Sequence, residues 1–235
     1  MQVNWGASNV VIGGTASGAG NLISGNTRDG VHIYKSTGNT VLGNKIGTDV
    51  TGTVAVGNTL NGVYLGSGGN TIGGSDTGAG NVISGNGTNG IWVNGKAKIT
   101  ISGVVFDYGN TDGVIVQGNK IGVNSTGSAL ANGNDGIYLL MPGTIQIGGT
   151  SAAAGNVIAG KAANGGFDTG ATVSYLTGGS GTTIHNNGGW AIEEVGPDHM
   201  TLGNNTILTV TAMVDPVNHN IVIGSHDGIT TYKFV

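Results

Sequence analysis

The chain has 235 residues, of which 49 are Gly and none is Cys; 37% are hydrophobic, 9% are charged, and the formal charge is −4. Eight Lys plus Arg, with Arg28 the one arginine, build no basic stripe, which argues against nucleic acid or an anionic membrane surface as partner. No apolar run approaches the roughly 20 residues that cross a bilayer, and without Cys there is neither a disulfide nor thiol chemistry.

In chain order, MQVNWGASN has neither the basic start nor the apolar core of a signal peptide. Val3-Asn4-Trp5 already stands in strand phase, so the chain is expected to open inside a coil whose edge carries no capping helix and is available for self-association. The run VIGGTASGAGNLISGN (11–26) then returns as TIGGSDTGAGNVISGN (71–86) and, more loosely, as QIGGTSAAAGNVIAG (146–160). Likewise TVLGNKIG (40–47) returns as VIVQGNKIG (114–122) and, degraded, as TLGNNTI (201–207). Self-similarity over such distances marks stacked supersecondary units.

The smaller unit is a Gly corner followed by an alternating strand: Asp29-Gly30-Val31, Asn61-Gly62-Val63, Asn89-Gly90-Ile91, Asp112-Gly113-Val114, Asp135-Gly136-Ile137, Gly165-Gly166-Phe167, Gly188-Gly189-Trp190 and Asp227-Gly228-Ile229. Asn, Asp and Gly tolerate the left-handed backbone of a sharp corner, and the β-branched and aromatic residues after them favour strand. Further short strands such as NTVLG, NVISG and KITISG lie between corners, with nothing of helical period. The prediction is an all-β parallel β-helix, a solenoid of roughly eight coils in which each strand pairs with its counterpart one coil away.

Alternation predicts the faces. Val31, Val63, Ile91, Val114, Ile137, Phe167 and Trp190 form one inward column, and Ile33, Leu65, Val93, Val116, Leu139 and Ile192 a second. Asn39, Asn44, Asn70, Asn81, Asn119, Asn156 and Asn204 recur at other corners, either as stacked amides bonded along the axis or simply as tolerant turn residues. Residues 208–235 lose the Gly-Asn rhythm, so the helix is placed at 1–207 and an irregular last coil and cap of the same domain at 208–235.

The phrases NTIGG…GAGNVISGN and NTVLGNKIGTDVTGT resemble the repeats of bacterial right-handed parallel β-helix proteins, the pectin-lyase-like superfamily, closely over residues 9–160 and loosely beyond. The resemblance implies a right-handed coil, an extracellular or cell-surface location, and polysaccharide as partner. In the polygalacturonase-like glycosidases of that superfamily, Asn-Thr-Asp and, one coil later, Asp-Asp supply the catalytic carboxylates. Here Asn110-Thr111-Asp112 and Asn134-Asp135 match in part. The second Asp, a Gly-His-Gly one coil on and a later Arg-x-Lys are missing.

Two readings of these aspartates stay open. In one, Asp112 and Asp135 are copies of the turn residue at Asp29, Asn61, Asn89 and Asp227. In the other, Asp112, Asp135 and Asp168 form an acidic cluster able to hydrolyse a glycosidic bond, which needs two carboxyls roughly 5–9.5 Å apart. Outward positions on successive coils hold His32, Tyr64, Trp92, Ile115 and Tyr138, with Tyr34 beside the first and Glu193 further on. Such a row of rings would bind the apolar faces of sugars, or would only stabilise the sheet. Lyase chemistry, which needs cations, ranks below hydrolysis. His185, His199, His219 and His226 lack metal-site spacing, and Asp49 and Asp76 sit in loops without a ligand-dense motif, so no metal and no cofactor is expected. The competing reading is a non-catalytic stalk or adhesin segment of a larger secreted or surface protein.

Overall fold

The computed structural model describes residues 1–95, 99–101, 104–106, 111–140, 145–149, 151–159, 167–169, 183–185, 193–194 and 209–210. These residues are all-β, with no α-helix among them and one 3₁₀ turn at Ala152–Ala154. Three parallel sheets carry the architecture, an arrangement consistent with a β-solenoid. Sheet one runs through Gln2–Asn4, Val31–Tyr34, Val63–Gly66, Ile91–Asn94, Ile137–Leu140, Phe167–Thr169 and Glu193–Glu194. Sheet two holds Val11–Gly13, Thr40–Leu42, Thr71–Gly73, Val114–Gln117 and Ile145–Ile147. Sheet three holds Leu22–Ile23, Lys45–Ile46, Val82–Ile83, Lys120–Ile121, Val157–Ala159, Thr183–His185 and Thr209–Val210.

The predicted inward columns appear on sheet one, where Val31 pairs with Val63, Val63 with Ile91, Ile91 with Ile137, and Ile137 with Phe167. Val31, Val63, Ile91 and Ile137, like Ile33, Leu65, Val93 and Leu139, are fully buried. At roughly 1.5–3 kcal/mol for each fully buried aliphatic side chain, these columns are the main favourable term. Trp190, Ile192, Asn204 and Asp227 lie outside the described residues.

One corner belongs elsewhere. Val114 and Val116 do point inward, but they pair with Ile145 and Ile147 in sheet two. The backbone explains why. Gly30, Gly62, Gly90 and Gly136 do not have positive φ; they are glycine because the coils approach closely, and a Cβ on Gly62 would lie 2.5 Å from Ile83 Cγ2 and 2.7 Å from the Gly90 carbonyl oxygen. Gly113 has φ +74° and matches Gly38 and Gly69 at the entry to sheet two, with the Gly69 amide donating to the Asp112 carbonyl at 2.8 Å. Asp-Gly is thus one dipeptide used in two different corners. KITISG also departs from expectation: Ile99–Ile101 pairs antiparallel with Val104–Phe106, outside the three parallel sheets.

Side-chain amides run along the axis beside the core, buried except at Asn21 and Asn26, where two of the ladders begin. Asn21, Asn44, Asn81, Asn119 and Asn156 form one ladder, each Nδ2 donating to the next Oδ1 at 2.8–3.0 Å. Asn26, Asn58, Asn86 and Asn132 form a second, and Asn39 with Asn70 a shorter third. Backbone amides of the same asparagines donate to the same oxygens, as from Asn81 to Asn119. Each Oδ1 therefore satisfies corner N–H groups that no strand partner reaches.

Candidate functional site

Through His32, Tyr64, Trp92 and Tyr138, sheet one turns one column outward, and the backbone register continues it. His32 pairs with Tyr64, Tyr64 with Trp92, Trp92 with Tyr138, Tyr138 with Asp168, and Asp168 with Glu193, so six of the predicted site residues occupy successive register positions. His32, Tyr64, Trp92 and Tyr138 are all half-buried. Ile115, expected between Trp92 and Tyr138, is in sheet two opposite Thr71 and Gln146.

The rings do not all present themselves alike. His32 and Tyr64 lie parallel, centroids 4.4 Å apart and planes within 8°, so they close their faces on each other along the axis. Trp92 is turned by 85° against Tyr64 at 5.3 Å, and Tyr138 is tilted 59° from Trp92 at 5.7 Å. The first pair is a stacked ladder that stabilises the sheet, whereas Trp92 meets Tyr64 edge to face and Tyr138 at a tilt. The Trp92 Nε1 is buried with no hydrogen-bond partner among the described residues.

Beneath His32 lies Asp29, whose side chain is 4% exposed and whose Oδ2 accepts from His32 Nδ1 at 2.9 Å. Its Oδ1 accepts from Asn61 Nδ2 at 2.7 Å, and Asn89 Nδ2 donates in turn to Asn61 at 3.0 Å. This fourth ladder donates toward the N-terminal coil, the reverse of the others, and a carboxylate suits its end because it accepts only. Burial works against ionisation of Asp29, but the hydrogen bonds from His32 and from the Asn61 side chain and backbone outweigh it and hold its pKa below the usual carboxylate value. Burial likewise raises the Tyr64 phenol, against the bond donated to its hydroxyl by Asn94 Nδ2 at 3.1 Å.

Tyr34 stands in the neighbouring outward column, opposite Gly66. A Cβ on Gly66 would lie 2.7 Å from the Tyr34 ring, so that glycine is the seat on which the ring lies. Trp5 packs edge-on against Tyr34 at 5.9 Å, and Lys35 Nζ sits 4.9 Å from the Trp5 ring centroid and 5.4 Å from that of Tyr34. Sequence reasoning passed over Trp5, Asn94 and Asp29 as members of this surface; the alternation that located Tyr34 leads directly to Asn94, whereas Trp5 and Lys35, one residue beyond the strands, fall in the inward phase and yet stand exposed, with left-handed backbone.

Of the three aspartates expected to cluster, Asp112 is parted from the other two, which stand at neighbouring strands of sheet one. Asp112 stands at the entry to sheet two, where its backbone meets Gly69. Asp135 stands at the entry to sheet one in the ladder position of Asn61 and Asn89, its amide donating to Asn89 Oδ1 at 3.0 Å. Asp168 is placed by register beside Tyr138, three residues along from Asp135. The stacking of Asp112 on Asp135 fails because their corners, alike in sequence, feed different sheets.

Asp49 is used up by its own loop, accepting from Thr51 Oγ1 at 2.7 Å and from the Thr53 and Val54 amides at 2.9 and 3.0 Å. No group of three His, Asp or Glu able to hold a metal ion occurs among the described residues, and no helix among them is long and apolar enough to cross a membrane. Of the late histidines, His185 lies in Thr183–His185, while His199, His219 and His226 lie outside the described residues. No family model, curated protein or solved structure matches the chain.

Proposed function

We propose that this protein binds polysaccharide along the outward column of sheet one, on a right-handed, pectin-lyase-like β-helix of roughly eight coils that works outside the cell. The observation that carries the reading is the unbroken register from Trp92 through Tyr138 to Asp168 and Glu193. It sets a turned pair of aromatic rings directly beside two consecutive acidic positions. Ring surfaces hold the apolar side of a sugar and acidic groups take its hydroxyls, the usual mixture of a carbohydrate site.

The same register favours a second reading in which the bound chain is hydrolysed. Neighbouring parallel strands lie about 4.8 Å apart, so Asp168 and Glu193 start from a backbone spacing compatible with the acid and nucleophile of a retaining glycosidase. Asp112 has no place in such a site because it opens another sheet. Reducing-sugar release from neutral and acidic polysaccharides, with Asp168→Asn and Glu193→Gln alongside, separates the readings. Release abolished by both substitutions supports hydrolysis. Retention of polysaccharide without release supports binding alone, and neither retention nor release leaves a structural stalk.

A further inference from the structure

Two loops rise from sheet three with the same design. After Lys45–Ile46 the chain forms a short antiparallel bridge between Thr48 and Ala55, and after Lys120–Ile121 another between Val123 and Ala129. In the first, Asp49 Oδ1 gathers the Thr53 and Val54 amides; in the second, Asn124 Oδ1 gathers those of Thr126 and Ser128 at 3.0 and 2.9 Å. Between them in sheet three lies Val82–Ile83, whose coil has no such loop and turns through Ser84, Gly85 and Asn86. The loops meet over that turn. The Ser125 amide donates to the Gly52 carbonyl at 2.9 Å, and Ser125 Oγ to the Thr51 carbonyl at 3.0 Å. Below the junction, a Cβ on Gly85 would lie 2.8 Å from Ala55 Cβ, and Ser84 Oγ donates to the Val123 carbonyl. Lys120 Nζ donates to the Ser125 carbonyl from the far side.

Stacked repeats ordinarily couple only to their immediate neighbours. We propose that these loops are a strap that couples the coil of Lys45 to the coil of Lys120 across the coil of Val82, so that the three open as one unit. Each loop is pre-ordered by its own Asp or Asn clamp, so joining them costs little further chain entropy. The same coils lead out to Tyr64, Trp92 and Tyr138, so the strap also fixes the spacing of that trio. The inference does not depend on the face binding a glycan.

Amide hydrogen exchange in the full chain tests it. Gly52→Ala wedges the junction: its Cβ would lie 3.0 Å from Ser125 Cβ, at φ +75°. Exchange at Leu130, Gly133 and Asn134, amides of the distant coil that hydrogen-bond to Gly122, Asn86 and Thr88, then speeds up about tenfold, equivalent to 1.4 kcal/mol. Ser125→Ala, which removes only the hydroxyl bond, produces a smaller rise at Thr53, Val54 and Val56 on the opposite loop and serves if the first variant fails to fold. Faster exchange confined to the substituted loop and to Ser84 and Gly87 of the intervening coil overturns the strap.

Discussion

Trp92 and Tyr138 lie side by side on sheet one, ring centroids 5.7 Å apart, although the chain makes a full turn and extrudes an antiparallel ribbon between them. Their meeting is a product of coil stacking. The same stacking brings Asp168 and Glu193 into the next two positions of the column. Substitutions that disturb the stack therefore act on the site from a distance.

The ladder asparagines are the first such lever. Asn119 Nδ2 donates to the carbonyls of Ile72 and Gln117 and to Asn156 Oδ1, and its Oδ1 receives the amide and Nδ2 of Asn81. Asn119→Leu leaves several of these buried groups unpaired, at about 1–3 kcal/mol for the first of them. Urea denaturation is expected to show a loss of about 3 kcal/mol or more, against almost none for an exposed asparagine such as Asn134, whose backbone is not left-handed.

Two glycines that read alike in sequence separate by mechanism. Gly136→Ala keeps an acceptable backbone but drives a Cβ to 2.5 Å from Ile158 Cγ2, an overpacking expected to cost about 1–3 kcal/mol. Gly113→Ala meets nothing closer than 3.8 Å and is opposed only by its φ of +74°, about 1–2 kcal/mol. Reducing Ile158 to Ala in the same chain should relieve the first substitution and leave the second untouched, which thermal unfolding of the double variants measures.

Acid sensitivity follows from Asp29. Its pKa is depressed in the folded chain, so as pH falls it takes up its proton later when folded than when unfolded. The stabilisation is complete above the ordinary carboxylate value of about 3.9 and is lost as pH falls through the lower, folded value. Stability of the parent chain should drop relative to Asp29→Asn between about pH 5 and pH 2 and run parallel to it near neutrality. Parallel curves across the acid range would remove the carboxylate from the account.

Much of the fold was legible because side-chain alternation has a period of two wherever a strand lies, which is how Val31, Ile33, Tyr64 and Trp92 could be assigned to faces. The sheet to which a strand belongs was not. A three-residue strand looks the same in all three sheets, and Asp112-Gly113 differs from Asp135-Gly136 only in a backbone angle set by the coils above and below. Ring planes were equally hidden, since His32 facing Tyr64 and Trp92 turning away depend on rotamers fixed by packing. Trp5 and Lys35 take left-handed φ of 57° and 50°, where Gly or Asn would be expected, and nothing local announces it.

Polysaccharide binding by the Trp92 column is the central claim, and titration with soluble glycans tests it most directly. Trp92→Ala and Tyr138→Ala should each weaken the affinity by about tenfold or more, a loss of about 1.4 kcal/mol, while Ile115→Ala, which alters the outward face of sheet two, leaves it unchanged. Equal affinity in the parent chain and all three variants, with folding intact, would contradict the claim.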